Sequence, residues 1–319
     1  MLAFDLNIDP VSVKEKIISF IKKKTQERES SGVLVTFNGQ NEAFVVGQLA
    51  IEALGMDCVK LVVSRDVSED KRQEISSGAK KFLGVPDDRI ISFDIAKIAR
   101  QFKFDLVRDE LRSRRLEDAL EASLIPRLYN LGRFLLQAHV AQNIVEEKTF
   151  SMVGEATSER GKFIQDLIAH RKMRKRLKMV LALLIAETDN LLLVNETNKT
   201  QWLTGLFTTF GYGHIAEIMP LGDLYRTQVL QLGEYLDIPK EVRDHAYDDL
   251  MPGVKNSYQY FFGLESDDID KILVRLQADL TPTKISEELS IDLNLVERVK
   301  YFHQVSKYQR QVPLIPQIE

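Results

Sequence analysis

Three cationic side chains, Lys199, Arg226 and Arg176, are the residues whose type and placement could do chemistry. Together they could form a positive pocket for an anionic ligand, because the planar guanidinium of arginine makes paired hydrogen bonds to a phosphate or a carboxylate. For Arg226 an ion pair with Asp223 at the start of a helix is an equally good interpretation, and both stay open. His214, in a glycine-rich loop of the same stretch, is a candidate ligand contact rather than a base, because no catalytic partner stands beside it.

Four short apolar runs must position these residues, and each is typical of a strand that is buried on both faces. The runs alternate with amphipathic helical segments, which indicates an α/β fold with a doubly wound parallel sheet and right-handed crossovers. Ligands of such sheets bind beyond the carboxyl ends of the strands. The predicted strands are Val33–Phe37, Val59–Ser64, Ile90–Phe93 and Leu191–Val194, and the turns to search are Thr36–Glu42, Ser64–Ser68, Asp94–Ala96 and Asn195–Gln201.

The segment Leu191–Val229 contains three motifs whose order and spacing are specific. They are NETNKTQ (Asn195–Gln201), GLFTTFGYGHIAE (Gly205–Glu217) and PLGDLYRTQV (Pro220–Val229). Here the chain resembles the ammonia-dependent NAD synthetases, which are P-loop-like ATP pyrophosphatases. In that family a strand ends in GTGNKSE and is followed by stretches similar to GYFTKYGDGGAD and PIGDLYKTQV.

Further matches extend the resemblance to most of the chain outside the stretch between about Arg100 and Arg160. They are RLKMVLALLIA (Arg176–Ala186), DLMPG (Asp249–Gly253) and SKYQRQVP (Ser306–Pro313). The resemblance implies an adenine-nucleotide α-hydrolase-like, Rossmann-like fold. It also implies a homodimer with the substrate site at the dimer seam.

The activity that the resemblance implies is that of an amide ligase. In the family, ATP adenylates the carboxylate of deamido-NAD with release of pyrophosphate, and ammonia then displaces AMP. ATP and Mg²⁺ are the cofactors implied, and Mg²⁺ is a hard cation that prefers oxygen ligands. The positions carried over for nucleotide binding are Thr36, Asn38, Gly39, Asn41, Arg176, Asn198, Lys199, Thr208 and Arg226.

The chain departs from the family at the charged positions. Asn41 stands at the metal-binding Asp of the family's SGGxDS phosphate loop, Gln201 at the metal-ligand Glu, and Tyr212 at the Asp of the glycine-rich stretch. Neutral amide oxygens lack the negative charge that makes a Mg²⁺ site strong, so we predict no metal ligands and assign no catalytic residue. Glu42 replaces the second Ser of the loop, where a carboxylate near a helix start would compete with an incoming phosphate. At the acidic pair that follows the family's DLxPG loop, this chain has Asn256 and Ser257.

Three functions stay open at this point. The first is a family member that keeps a nucleotide-type cleft for binding or regulation but is catalytically inactive or strongly impaired. The second is a working amide ligase with an altered metal arrangement. The third is a protein-interaction module with a vestigial cleft.

Composition excludes several other classes of protein. With 44% apolar residues the 319-residue chain is not disordered, and a net charge of −4 gives no bulk electrostatic reason to expect nucleic acid. The apolar stretch Val180–Ala186 is too short for a membrane span, which needs about 20 residues. The single cysteine allows no internal disulfide, and we expect a cytoplasmic protein with no signal sequence.

The remainder of the chain is predicted to be helical, within a single domain that spans residues 1–319. Leucines at steps of three to five residues predict a helical insert at about 100–160 that forms core or a dimer seam. The basic run His170–Lys178 is interpreted as the polar face of a helix whose apolar face is Met173, Leu177, Val180, Leu181 and Leu184. A helical tail at about 265–319 is predicted to contain Asp267–Gln277, Pro282–Leu289 and Leu293–Tyr308, with Thr281 and Asp292 as N-caps.

Overall fold

The computed structural model describes residues 4–63, 69–101, 159–211, 213–244 and 256–311. Nearly all of the predicted insert at about 100–160, including its leucine stripe, lies outside the described residues, and so does Tyr212. Within the described part, no helix combines the length and the apolar composition that crossing a membrane requires.

The four strands form one parallel sheet in the order β3-β2-β1-β4. This confirms the predicted α/β class, and the predicted strand ends agree to within one residue. The chain moves outward from β1 in one direction to β2 and β3 and in the other to β4, so the strand order reverses between β1 and β4. In open α/β sheets such a reversal opens a crevice at the carboxyl ends of the strands. The strands are β1 (Gly32–Phe37), β2 (Val59–Val63), β3 (Ile90–Ser92) and β4 (Leu191–Val194).

Helices cover both faces of the sheet, which is why the strands are apolar throughout. One face packs on α1, α2, α3 and α7, and the other packs on α4 and α5. The helices of the sheet layer are α1 (Pro10–Glu27), α2 (Asn41–Leu54), α3 (Glu69–Leu83), α4 (Ile95–Gln101), α5 (Glu159–Thr188), α6 (Lys199–Thr204), α7 (Arg226–Tyr235) and α8 (Lys240–Arg243). Those of the tail are α9 (Ser257–Phe262), α10 (Ser266–Leu276), α11 (Pro282–Leu289) and α12 (Leu293–Arg310).

The buried face of α5 differs from the one predicted. Met179, Ala182 and Ala186 pack on the sheet, whereas Val180 and Leu184 are 59% and 60% exposed. The two alanines let the helix approach the strands closely, so small residues rather than the larger aliphatic ones face the core. The prediction that Val180 and Leu184 belong to the buried face was therefore wrong.

The tail has its own apolar core, which is attached to the cleft side of the sheet. Ile269, Ile272, Leu273, Val299 and Phe302 are fully buried, and Leu203 of α6 and Tyr225 belong to the same cluster. The predicted tail helices and both N-caps are confirmed. The Thr281 hydroxyl accepts from the backbone N–H of Lys284 at 3.4 Å and the Asp292 carboxylate from that of Asn294 at 2.8 Å.

Candidate functional site

At the carboxyl ends of β1 and β4, where the strand order predicts a crevice, lies a buried polar group of side chains. Thr36, near the end of β1, donates a hydrogen bond to the carboxylate of Glu196, and Asn195 donates to the Thr36 hydroxyl at 3.1 Å. Glu196 and Thr36 are both buried. Glu196 was not among the predicted site residues, although its position two residues after the end of the apolar strand β4 is a signal that could have identified it.

The loop from β1 to α2 folds onto itself through Asn38. The Asn38 side-chain oxygen accepts from the backbone N–H of Gln40 at 2.9 Å. Gly39 has φ +79°, and a Cβ there would lie 3.0 Å from Cγ1 of Ile75. The loop therefore has a turn that needs glycine at position 39, and within this turn the Asn38 side chain already binds the backbone N–H of Gln40.

The first turn of α2 carries a buried ion pair. The Arg226 guanidinium, at the start of α7, donates to Oε1 of Glu42, and the same oxygen accepts from Nδ2 of Asn198 at 2.9 Å. Glu42 is 1% exposed, and Arg226 and Asn198 are buried as well. Three separate segments of the chain thus meet at one carboxylate.

The surroundings of Arg226 keep it charged. Burial alone lowers the pKa of a guanidinium, but the adjacent Glu42 carboxylate reverses this and raises the pKa of Arg226 above its usual value. The ring of Tyr258 lies 5.7 Å from the Arg226 guanidinium carbon, and burial raises the pKa of its hydroxyl. The interpretation of Arg226 as an ion pair with Asp223 is wrong, because the helix turns its side chain inward to Glu42.

Asp223 instead pairs with Lys199, the other candidate cation. The Lys199 ammonium lies 3.0 Å from the Asp223 carboxylate and 5.0 Å from the centroid of the Tyr225 ring. Asp223 is almost fully exposed, so water screens this pair strongly. Lys199 thus remains near solvent.

The side chains at the implied metal positions face other parts of the protein. Asn41 is buried and donates to the carbonyl of Val229 on α7 at 3.3 Å, with its Oδ1 atom beside Gly233. Gln201 is used in a capping box, in which its Oε1 atom accepts from the Asn198 N–H at 3.0 Å.

Two further observations bear on a metal site. Asn256 caps α9 by accepting from the N–H of Gln259 at 3.1 Å. Among the described residues, no three His, Cys, Asp or Glu side chains are grouped so that they could hold a metal ion. Tyr212 lies outside the described residues. The donors present at Asn41, Gln201 and Asn256 therefore do not fit Mg²⁺, since each amide is neutral. The amide oxygens of Gln201 and Asn256 are already used within the fold, whereas the buried Oδ1 atom of Asn41 has no hydrogen-bond partner.

Arg176 and Thr208 border the glycine-rich loop. Arg176 donates from Nε and Nη2 to the carbonyl of Thr209 at 3.2 and 3.1 Å. Thr208 is fully buried, and its hydroxyl has no hydrogen-bond partner. Arg176 therefore holds the loop in place as well as contributing charge.

His214 is held inside an aromatic stack. Its Nδ1 atom accepts from the N–H of Phe210 at 3.3 Å, and its Nε2 atom lies 3.1 Å from the carbonyl of Gln309. The ring stacks on Phe207 at 5.6 Å between centroids, and burial lowers the pKa of the imidazole. These contacts describe a packed histidine that fixes the loop on α12.

Asp270, on α10, is a second buried carboxylate that the sequence analysis missed. It accepts from the Thr200 hydroxyl, and from the N–H and hydroxyl of Thr227 at 2.8 and 2.7 Å. Asp270 therefore joins the tail to the starts of α6 and α7. Its place between Ile269 and Leu273, on the apolar face of α10, is the signal that the sequence offered.

We expect Asp270 to give the protein a measurable pH dependence of stability. Burial raises the pKa of its carboxyl to about 6, against its ordinary value of 3.8, although the bonds from Thr200 and Thr227 oppose the shift. The folded protein therefore binds the proton more tightly than the unfolded chain, so stability from this group is lost as the pH rises from about 4 through 6. As the pH rises from 4.5 to 8, the free energy of unfolding of Asp270→Asn should increase by about 2 kcal/mol relative to that of the original protein.

Urea unfolding of both proteins at several pH values measures this difference. The control is Asp267→Asn on the exposed side of the same helix, which should follow the pH profile of the original protein. Identical profiles for Asp270→Asn and the original protein would exclude this role of Asp270.

The parallel sheet, covered by helices on both faces and reversing its strand order between β1 and β4, defines a doubly wound α/β protein. The sequence model of the NAD synthase family matches residues 135–313. This protein belongs to the NAD synthase family.

Individual relatives and solved structures agree with this assignment. An NH(3)-dependent NAD(+) synthetase of Thermotoga maritima is 27% identical in an alignment of 317 positions that covers 95% of this chain and 98% of the relative. The corresponding enzyme of Methanocaldococcus jannaschii is 24% identical over 96% of each chain. The structure of an NMN synthetase from Francisella tularensis superimposes with a TM-score of 0.65 at 17% identity, over 98% of this chain and all of the other. The resemblance and the fold class that the sequence predicted are thus confirmed.

Proposed function

We propose that this member of the NAD synthase family binds an adenine nucleotide or dinucleotide in the crevice but is inactive, or strongly impaired, in the Mg²⁺-dependent formation of an amide. The observation that carries the proposal is the placement of Asn41 and Gln201. Both are neutral. Asn41 donates from Nδ2 to the Val229 carbonyl on α7, and Gln201 accepts through Oε1 from the backbone of Asn198. A metal that balances the charge of a triphosphate needs anionic oxygen ligands, which these positions do not offer.

The proposed ligand contacts are those of the family positions at the sheet edge. Lys199 offers a cation near solvent, Arg176 lies beside the glycine-rich loop, and Thr208 has a hydroxyl with unused hydrogen-bonding capacity. Thr36, Asn38 and Gly39 form the edge at the end of β1. We extend the proposal to a single-domain homodimer in the cytoplasm, as the family resemblance and the single cysteine imply.

One alternative is supported by a specific observation. The relatives that match nearly the whole chain are named NH(3)-dependent NAD(+) synthetases, which favours a working amide ligase with another metal arrangement. A protein-interaction module with a vestigial cleft is the remaining alternative.

The proposal is tested by the release of AMP and pyrophosphate from ATP in the presence of Mg²⁺, ammonia and deamido-NAD. We expect turnover at least about 100-fold below that of the Thermotoga maritima relative, measured in parallel, because several charged positions are neutral together. Turnover within the range of that relative would refute the proposal and support the working ligase.

Calorimetric titration distinguishes a binding protein from an interaction module. ATP and deamido-NAD are titrated separately, each with and without Mg²⁺. Binding that Mg²⁺ does not change supports the proposal. Absence of binding by either nucleotide contradicts the proposal and supports the interaction module.

A further inference from the structure

The carboxylate of Glu42 occupies a place where an anionic ligand group would be expected to bind. It stands in the first turn of α2, a helix of 14 residues that begins just after the carboxyl end of β1. Its Oε1 atom takes the hydrogen bonds of both Arg226 and Asn198. Its Oε2 atom is buried and has no hydrogen-bond partner.

A phosphate oxygen and a carboxylate oxygen accept the same kind of hydrogen bond from Arg226 and Asn198. Both are anionic acceptors, and both suit the planar guanidinium of Arg226. The carboxylate of Glu42 is attached to α2, so it is present at a high effective concentration that a free ligand must overcome. The unpartnered Oε2 atom indicates that the pocket is not fitted to Glu42 alone, because buried carboxylate oxygens normally have partners.

We propose that Glu42 determines the ligand specificity of the crevice by occupying its anion subsite, so that ligand phosphates do not reach Arg226 and Asn198. The proposal deepens the proposed function and rests on it for the nucleotide nature of the ligand. The ligand class that follows is an adenine nucleotide or dinucleotide whose phosphates are not bound at the start of α2. A triphosphate gains nothing from Arg226 as long as Glu42 is in place.

The test replaces Glu42 by serine and measures thermal unfolding with inorganic pyrophosphate as the probe. Serine removes the carboxylate and leaves space beside the buried guanidinium. We expect a saturable rise in the melting temperature of about 2–4 °C for Glu42→Ser, and no change for the original protein. No reaction is involved, so the result is independent of whether the protein turns over ATP.

Two control variants assign the effect to the subsite. Glu42→Gln loses the charge but keeps the volume, so pyrophosphate should not stabilise it. The double variant Glu42→Ser with Arg226→Met has the space but lacks the guanidinium, and it should not respond either. A response of Glu42→Ser no larger than that of these controls overturns the proposal.

The original protein provides a further measurement if Glu42→Ser does not fold. Inorganic triphosphate should leave its melting temperature unchanged, and ATP should bind no more than about tenfold more tightly than adenosine. A saturable stabilisation by triphosphate, or a larger preference for ATP, overturns the proposal. Turnover of ATP in the assay described above would instead refute the proposed function, so the two failures are distinguishable.

Discussion

Replacing Arg226 by methionine is expected to lower the free energy of unfolding by about 3–5 kcal/mol. The substitution leaves the Glu42 carboxylate buried with Asn198 as its remaining donor among the contacts described. An uncompensated buried charge is costly because the protein interior cannot replace the hydration that the carboxylate has in water. Urea unfolding, followed by circular dichroism and by the fluorescence of Trp202, the single tryptophan, measures the loss.

The double variant Arg226→Met with Glu42→Gln separates the effect of the buried charge from the effect of lost packing. Removing both charges should recover most of the stability, since the cost arises from one charge without its partner. Lys199→Met is the matched control, because it breaks an ion pair of the same site whose Asp223 partner is exposed, and we expect a small change. A loss for Arg226→Met as small as that of this control would show that the pair does not stabilise the fold.

Replacing Phe302 by alanine is expected to cost about 3–5 kcal/mol. Phe302 is fully buried in the tail core, where its ring packs edge-on against Phe262 at 5.1 Å between centroids. The cost combines the lost burial of the ring with the cavity that remains. Denaturant unfolding measures it, and coincident transitions by circular dichroism and Trp202 fluorescence would show that the tail and the sheet unfold together.

Tyr308→Ala provides the control on the same helix. Its side chain is 40% exposed, so truncation should cost less than about 1 kcal/mol. Trp202 is contacted by Arg310 of the tail helix α12 and therefore reports on the tail. Two separate transitions for Phe302→Ala, with Trp202 fluorescence changing in one and most of the circular dichroism signal in the other, would contradict the proposed single domain.

The strands were predictable because burial on both faces leaves a local signature. Val33, Leu34 and Val35 are all apolar, although successive side chains point into opposite layers of the molecule. The buried face of α5 was less predictable, because Val180 and Ala182 are both compatible with a core. Which of them faces the sheet depends on how closely the helix approaches it, and the sequence of the helix alone does not specify this.

The candidate site was predictable in its charge but not in its contacts. The neutral residues Asn41 and Gln201 were identified from the motifs alone. The partner of Arg226 was not, because Asp223 is three residues away whereas Glu42 is separated by 184 positions along the chain. Long-range pairs of this kind are set by how α2 and α7 pack, for which a local pattern gives no signal.

The contact between Asn41 and α7 has a consequence for the evolution of this chain. An aspartate introduced at this position alone would set a carboxylate oxygen against the Val229 carbonyl, deep inside the protein and without a counter-charge. The acid of the family motif is therefore disfavoured here as a single replacement. Accommodating it requires that α7 shift as well, so the exchange needs more than one replacement.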